Sequence, residues 1–467
     1  MAKTGISGIS KPAPAMFIVL ILALHSCIHI EKAVISDEEA LSPKKISSGA
    51  ASLGVPDWTK KPVSSVNISS KTRVISDGAF AYQHINALVL PNSVFAVGKG
   101  AFAFNRIETI SFSKNLDTIG ASAFLGNKLK GLVFPEMLSS IGEQSFMANN
   151  ISRVELPENL KHIGAYAFAM NEINELVLPD TLLLIEDWAF AGNKLTSVKL
   201  PARLTVINSG IFARNALNSV ILPPKLGEIG DSAFARNSIT SLNLPDSVRS
   251  LGIKAFYANQ IETLKLSRNL SVIGAQAFAG NNIAEVTLPE KIRRIDAGAF
   301  SGNKLRSIIF PERFYLLGEG AFENNELESV RFVNGIIRVI SKRAFAGNKI
   351  NRVNLPSTLT RIDDGAFASN KLSGALRLPA DIQYLGKGAF ENNSLSSVRL
   401  PYNLRKIGEG VFAGNPVTEI IIGMNMDIKA SDMGEHGEAF LEFYKSNKRR
   451  SGTYTFVEDA WIYGKRQ

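Results

Sequence analysis

Apolar and polar positions along this chain repeat with a period of twenty-two residues. Phenylalanine recurs at that interval from Phe80 through Phe102, Phe124, Phe146 and Phe168 to Phe322. It continues, after one-residue insertions before Phe345 and Phe390, to Phe412, which makes sixteen copies. In the copy AFAGNKLTSVKLPARLTVINSGIF, which starts at Ala189, apolar side chains follow Phe190 at Leu195, Val198, Leu200, Leu204 and Ile207. Val198-Lys199-Leu200 alternates apolar, polar, apolar, and so predicts a short strand with two side chains inward and one outward. Pro201 lacks an N–H and suits the point where that strand stops pairing. Leu204 and Ile207, three apart, predict a tight return path with at most one helical turn. A unit this short cannot bury both of its faces alone, so the copies must stack into a solenoid.

One polar residue breaks the apolar rule. Asparagine stands three residues after each Phe, at Asn105, Asn127, Asn149, Asn171, Asn193, Asn215, Asn237, Asn259, Asn281, Asn303, Asn325, Asn348, Asn370, Asn393 and Asn415, with Gln83 in the first copy. A buried amide without partners costs about 1–3 kcal/mol. A column of them is expected to bond the backbone of the coils above and below. A ligand site would not need fifteen copies, so the reading is structural.

The pattern divides the chain. Residues 1–27 have the form of an export signal: Lys3 and Lys11, an apolar run over Met16–Leu24, and Leu24-His25-Ser26-Cys27 in the manner of a lipobox. Cys27 is the one cysteine and is the candidate lipidation site, although His25 departs from that motif and a plain cleaved secretory signal remains the alternative. Residues 28–70, rich in Ser, Lys, Gly and Pro, are expected to form a flexible tether and N-terminal cap. The solenoid occupies 71–423. Residues 424–467 are expected to cap its open end with a short helix over Glu438–Lys448 and a hairpin turning at Glu458-Asp459.

The pattern AFAGNxLxSVxLPxxLxxIGxxAF resembles the BspA-like, treponemal-type leucine-rich repeats of bacterial surface proteins. The matching copies run from about Phe80 to Phe412, and twelve of the first fifteen carry the strand-ending Pro. The resemblance implies a leucine-rich-repeat solenoid of sixteen repeats with a parallel, concave β-sheet, a thin convex side of single helical turns and a small α+β cap. It also implies adhesion to host matrix or plasma proteins or to other cells, as a class. The chain would be exported to the bacterial outer surface or envelope. The alternative is a structural or periplasmic envelope protein acting in self-association or scaffolding.

A ligand would meet the outward residue of each strand. Val89, Val133, Val177 and Ile221 recur there at every second copy, and Lys199, Lys265, Arg331, Arg377 and Arg399 make a basic series. The formal net charge is +10, which favours an acidic partner only weakly because it is spread over a long molecule. An extracellular protein or glycan docking on this strip is therefore set against ordinary solvated charge on an exposed sheet. No cofactor, metal or catalytic constellation is indicated: the five His show no ligand spacing and no unique nucleophile–base set appears. Nucleic acid is not expected, since no aromatics interleave with those Lys and Arg.

Overall fold

The recurring Phe side chains stack into one continuous interior column. In the computed structural model, which describes residues 40–41, 66–333 and 335–464, Phe80 through Phe412 are all buried. Neighbouring rings lie near-parallel, with centroids 5.1 Å apart at Phe80–Phe102 and 6.0 Å apart at Phe190–Phe212. That offset parallel arrangement suits aromatic quadrupoles. The export signal with Cys27 and nearly all of the tether lie outside the described residues.

Two parallel ladders flank this column. The first is built from the outward-alternating triplets. Ala87–Val89 pairs with Thr109–Ser111, Ser241–Asn243 with Thr263–Lys265, and Ser307–Phe310 with Ser329–Phe332. The expected inward–outward–inward triplet is present, as at Leu88, Val89 and Leu90, but the pairing strand starts one residue earlier, so its own pattern is exposed–buried–exposed. The second ladder runs along the return path. Where at most one helical turn was expected, a two-residue strand appears in each coil, such as Val74–Ile75, Thr118–Ile119 and Val206–Ile207. It pairs in parallel with its counterparts in the neighbouring coils. Pairing satisfies a backbone that a lone helical turn would leave half unbonded. Ala40–Leu41 adds a strand beside Val74–Ile75.

The corner between return strand and Phe is tight. Each coil passes through left-handed backbone two residues before and two residues after its Phe. Gly100 (φ 60) and Phe104 (φ 54) flank Phe102, and Lys254 (φ 58) and Ala258 (φ 52) flank Phe256. Such backbone costs an L-residue roughly 1–2 kcal/mol. It persists because the turns are themselves stacked: Phe102 N donates to Ala123 O at 2.8 Å and Phe104 N to Leu125 O at 2.7 Å.

The glycine that often follows the return strand is demanded by contact. A Cβ built on Gly120 would meet Gly98 C and Lys99 N at 2.8 Å and Val97 O at 2.9 Å, all backbone of the coil before. Gly120→Ala is therefore expected to cost about 1–3 kcal/mol, while Gly131→Ala, whose nearest neighbour would be Arg153 O at 3.8 Å, should be close to neutral. Urea midpoints of the two variants check this; equal midpoints would remove the contact argument. Where the position is not glycine, a side chain can take over the bond. Asn208 Nδ2 donates to Ile185 O at 2.8 Å, and Ser341 Oγ donates to Leu317 O. At these two places the return ladder is interrupted, dividing it after Leu184–Ile185 and after Leu316–Leu317.

The asparagine column joins coil to coil. Asn127 Oδ1 accepts from Ile107 N at 3.0 Å, and its Nδ2 donates to Phe102 O at 2.9 Å and to its own coil's Phe124 O at 3.1 Å. The same set recurs through Asn415. At the far end, helix Gly437–Ser446 and the hairpin Gly452–Val457 and Ala460–Gly464 close the stack. The first hairpin strand pairs antiparallel with Glu419–Ile422, covering the last face-strand edge. The hairpin turns at Glu458 (φ 46) and Asp459 (φ 61), the paired left-handed residues that match strand twist. Phe440, Tyr444, Tyr454 and Trp461 are buried beneath it.

Candidate functional site

The face strands put their middle side chain into the core and leave the residues on either side of it outward. Where neighbouring face strands pair, register aligns those residues at an offset of one repeat, in several short sheets along the face. Val89 is opposite Ser111, Val133 opposite Glu155, Asn243 opposite Lys265, Ile309 opposite Arg331 and Arg377 opposite Arg399. Isolated bridges place Lys199 between Val177 and Ile221. All nine residues expected to face a ligand are exposed, Val177 at 76% and Ile221 at 83%. Ile421, the last of the column, is half-buried beside Thr453 of the terminal hairpin.

The five cations do not form one cluster. Lys199, Lys265 and Arg331 stand three coils apart, about 14 Å at the usual strand spacing. That exceeds the screening length of about 8 Å at physiological salt, so each acts as a separate contact. Arg377 and Arg399 are adjacent and reinforce one another. Arg352, opposite Ser329 and one coil before Arg377, adds a further exposed cation at this end. It lies two residues before the outward Asn354, so a reading of one column alone passes over it. Among the described residues none of these six cations is in an ion pair.

Acidic groups interrupt the strip at its middle. A shallow groove of about 540 Å³ is lined by Lys265, Arg268, Glu262, Glu285 and Thr287. Beside it, the hydrogen bond from Arg268 holds the Asp246 carboxyl below its ordinary range, with a smaller pull from Lys265. A second groove of about 330 Å³ opens between Ser111 and Val133 over Phe112 and Phe134. Toward the N-terminal end, the column's single acid, Glu155, is paired with Arg153 at 2.8 Å.

One line of chemically capable side chains lies on the return ladder. Ser140 Oγ is 3.1 Å from His162 Nδ1, and His162 Nε2 is 3.0 Å from Glu186 Oε1. Glu186 Oε2 accepts from Ala165 N at 2.9 Å. A nucleophile there would need oxyanion donors, but the N–H groups of Ser139 and Ser140 both donate to Asp117 O. The line is a run of side-chain hydrogen bonds across three coils.

The family described as BspA type leucine rich repeat region (6 copies) matches residues 45–152, 139–260, 249–373 and 317–431. No curated protein matches the chain. Among solved structures, a leucine-rich repeat protein from Bacteroides ovatus aligns over 76% of this chain and 87% of its own, at 22% identity and a TM-score of 0.55. YopM from Yersinia enterocolitica aligns over 79% and 74%, at 19% identity and 0.48. The pneumococcal vaccine antigen PcpA aligns over 68% and 79%, at 20% identity and 0.44. At such identities the likeness to the B. ovatus protein is one of fold.

Proposed function

Because the chain belongs to the BspA-type leucine-rich repeat family, we propose that it is an exported, surface-exposed binding protein of the adhesin type, holding an extended protein partner along its face strands. In this reading the segment around Cys27 supplies a lipid anchor, and the solenoid stands off the envelope on the residues that follow it. Leucine-rich-repeat solenoids are protein-interaction scaffolds, and their long sheets favour many weak contacts over one deep pocket.

The observation that carries the proposal is the exposed outward column of the face strands with its basic end at Arg331, Arg377 and Arg399. Exposed cations without acidic partners keep their charge available to a ligand and gain little from intramolecular pairing. The exposed Val89, Val133, Val177 and Ile221, two coils or about 10 Å apart, supply apolar contacts toward the other end.

Full-length protein should capture matrix or plasma proteins from a defined panel, with affinity falling as salt rises. Arg331→Glu, Arg377→Glu and Arg399→Glu together should weaken capture about tenfold and flatten that salt dependence. Capture unchanged in the triple variant would remove the strip from the binding surface. Anchoring has its own test: Cys27→Ser should move the protein from the membrane fraction to the soluble fraction, and a membrane-bound Cys27→Ser protein would exclude lipidation.

A further inference from the structure

The return ladder carries a second charged strip, on a different surface from the face strands. Its outward positions are the first residue of each two-residue strand and the residue before it. From Arg249 to Lys406 these two columns hold sixteen residues, seven of them basic and none acidic. The chain average, 52 Lys and Arg in 467 residues, would put about two there. The same two columns before Arg249 hold one arginine, one lysine, one histidine, one aspartate and one glutamate. The asymmetry belongs to the C-terminal half alone.

Hydrogen bonds fix the spacing. Ser271 N donates to Arg249 O, Arg293 N to Ser271 O and Tyr315 N to Arg293 O, so Arg249 and Arg293 stand two coils apart on one line. Beyond the interruption at Ser341, Thr360 N donates to Arg338 O, Gln383 N to Thr360 O and Arg405 N to Gln383 O. In the neighbouring column Arg361, Tyr384 and Lys406 are successive rungs. The Arg361 guanidinium lies 4.2 Å from the Tyr384 ring centroid and the Lys406 ammonium 5.6 Å from it. Arg294 and Arg361 are paired with Asp296 and Asp363. Arg249, Arg338, Arg405 and Lys406 are exposed, and among the described residues none of them is in an ion pair.

We infer that this strip binds an acidic polysaccharide laid along the solenoid axis. Within each column the cations recur at intervals of two or three coils, about 10–14 Å, which complements a linear polymer whose anions also recur; a folded acidic protein presents its charges irregularly. Six of the seven are arginine, whose planar fork takes two oxygens of one anionic group. Tyr315, 52% exposed, lies among them and offers apolar ring surface to sugar C–H groups. The strand is only two residues wide, so the site is a track with no enclosing walls, suited to a chain and unsuited to a small ligand.

The test measures binding of full-length protein to immobilised dextran sulfate, with neutral dextran, polyglutamate and anionic phospholipid vesicles as further probes. Arg249→Glu, Arg338→Glu, Arg405→Glu and Lys406→Glu together should lower dextran sulfate affinity about tenfold with circular dichroism unchanged. A charge-matched control, Lys99→Glu, Arg106→Glu, Lys114→Glu and Lys128→Glu, should lower it about twofold or less. The face-strand variant Arg331→Glu/Arg377→Glu/Arg399→Glu should likewise keep most of its dextran sulfate binding, so the two surfaces fail or stand independently. Equal losses in the strip and control variants would reduce the effect to net charge and overturn the inference. Binding to polyglutamate or vesicles as tight as to dextran sulfate would overturn the polysaccharide assignment.

Discussion

Replacing Phe256 by alanine is expected to cost about 3–5 kcal/mol and to move the first unfolding transition in urea to markedly lower concentration. The ring is fully buried and is sandwiched between Phe234 at 5.3 Å and Phe278 at 5.7 Å. Removing it forfeits the transfer energy of the side chain and the contacts on both of its faces. Collapse cannot fill the gap, because the neighbouring coils are held at fixed spacing by Phe256 N donating to Ala277 O and Phe234 N to Ala255 O, both bonds outside the side chain. In a solenoid each coil meets only its neighbours, so a mid-stack cavity should also separate unfolding into two transitions. Phe80→Ala, in the first copy, should cost less and leave one transition. A mid-stack loss below about 1 kcal/mol, the range of an ordinary substitution, would mean that the Phe column does not hold the coils together.

Asn237→Ala should be nearly as damaging by a different route. Its Oδ1 accepts from Leu217 N at 3.0 Å, and its Nδ2 donates to Phe212 O at 2.9 Å and Phe234 O at 3.1 Å. Truncation strands at least one N–H and one carbonyl in the interior, at about 1–3 kcal/mol each. Asn237→Asp keeps the shape but turns an oxygen toward two carbonyl oxygens, and it buries a charge. The folded state then disfavours the ionised form, so the folded pKa of Asp at this position rises above its unfolded value of about 3.9. Above that value the folded state binds more protons than the unfolded one, and stability falls as pH rises. The aspartate variant should therefore approach the alanine variant near pH 4 and lie below it at pH 7. An aspartate variant equally stable at both values, relative to the parent protein, would show that the amide donors are not what this position supplies.

Both predictions concern positions that were legible before any coordinates. A Phe every twenty-two residues and an Asn three residues later are strong because each copy repeats the evidence, and one-dimensional stacking converts that repetition directly into columns. The outward triplet residue was legible for the same reason: apolar neighbours on either side leave it only one direction. Arg352 was not, because it stands in the next column over and gives no periodic signal. Nor was the basic track on the return ladder, since a strand of two residues is too short to alternate. Its outward positions become defined only when Val74–Ile75 and its successors pair across coils.

The sequence by itself determined the number of coils, what fills them and which side chain of each face strand is outward, since these follow from a period and from the aversion of apolar groups to water. Tertiary structure alone decided how each coil returns. The left-handed turns at residues as unaccommodating as Trp188 (φ 60) and Lys254 (φ 58), and the transfer of a ladder bond to Asn208 and Ser341, exist only because a neighbouring coil supplies the partner. A local preference can be read along the chain. A bond to a backbone twenty-two residues away is decided by the stack.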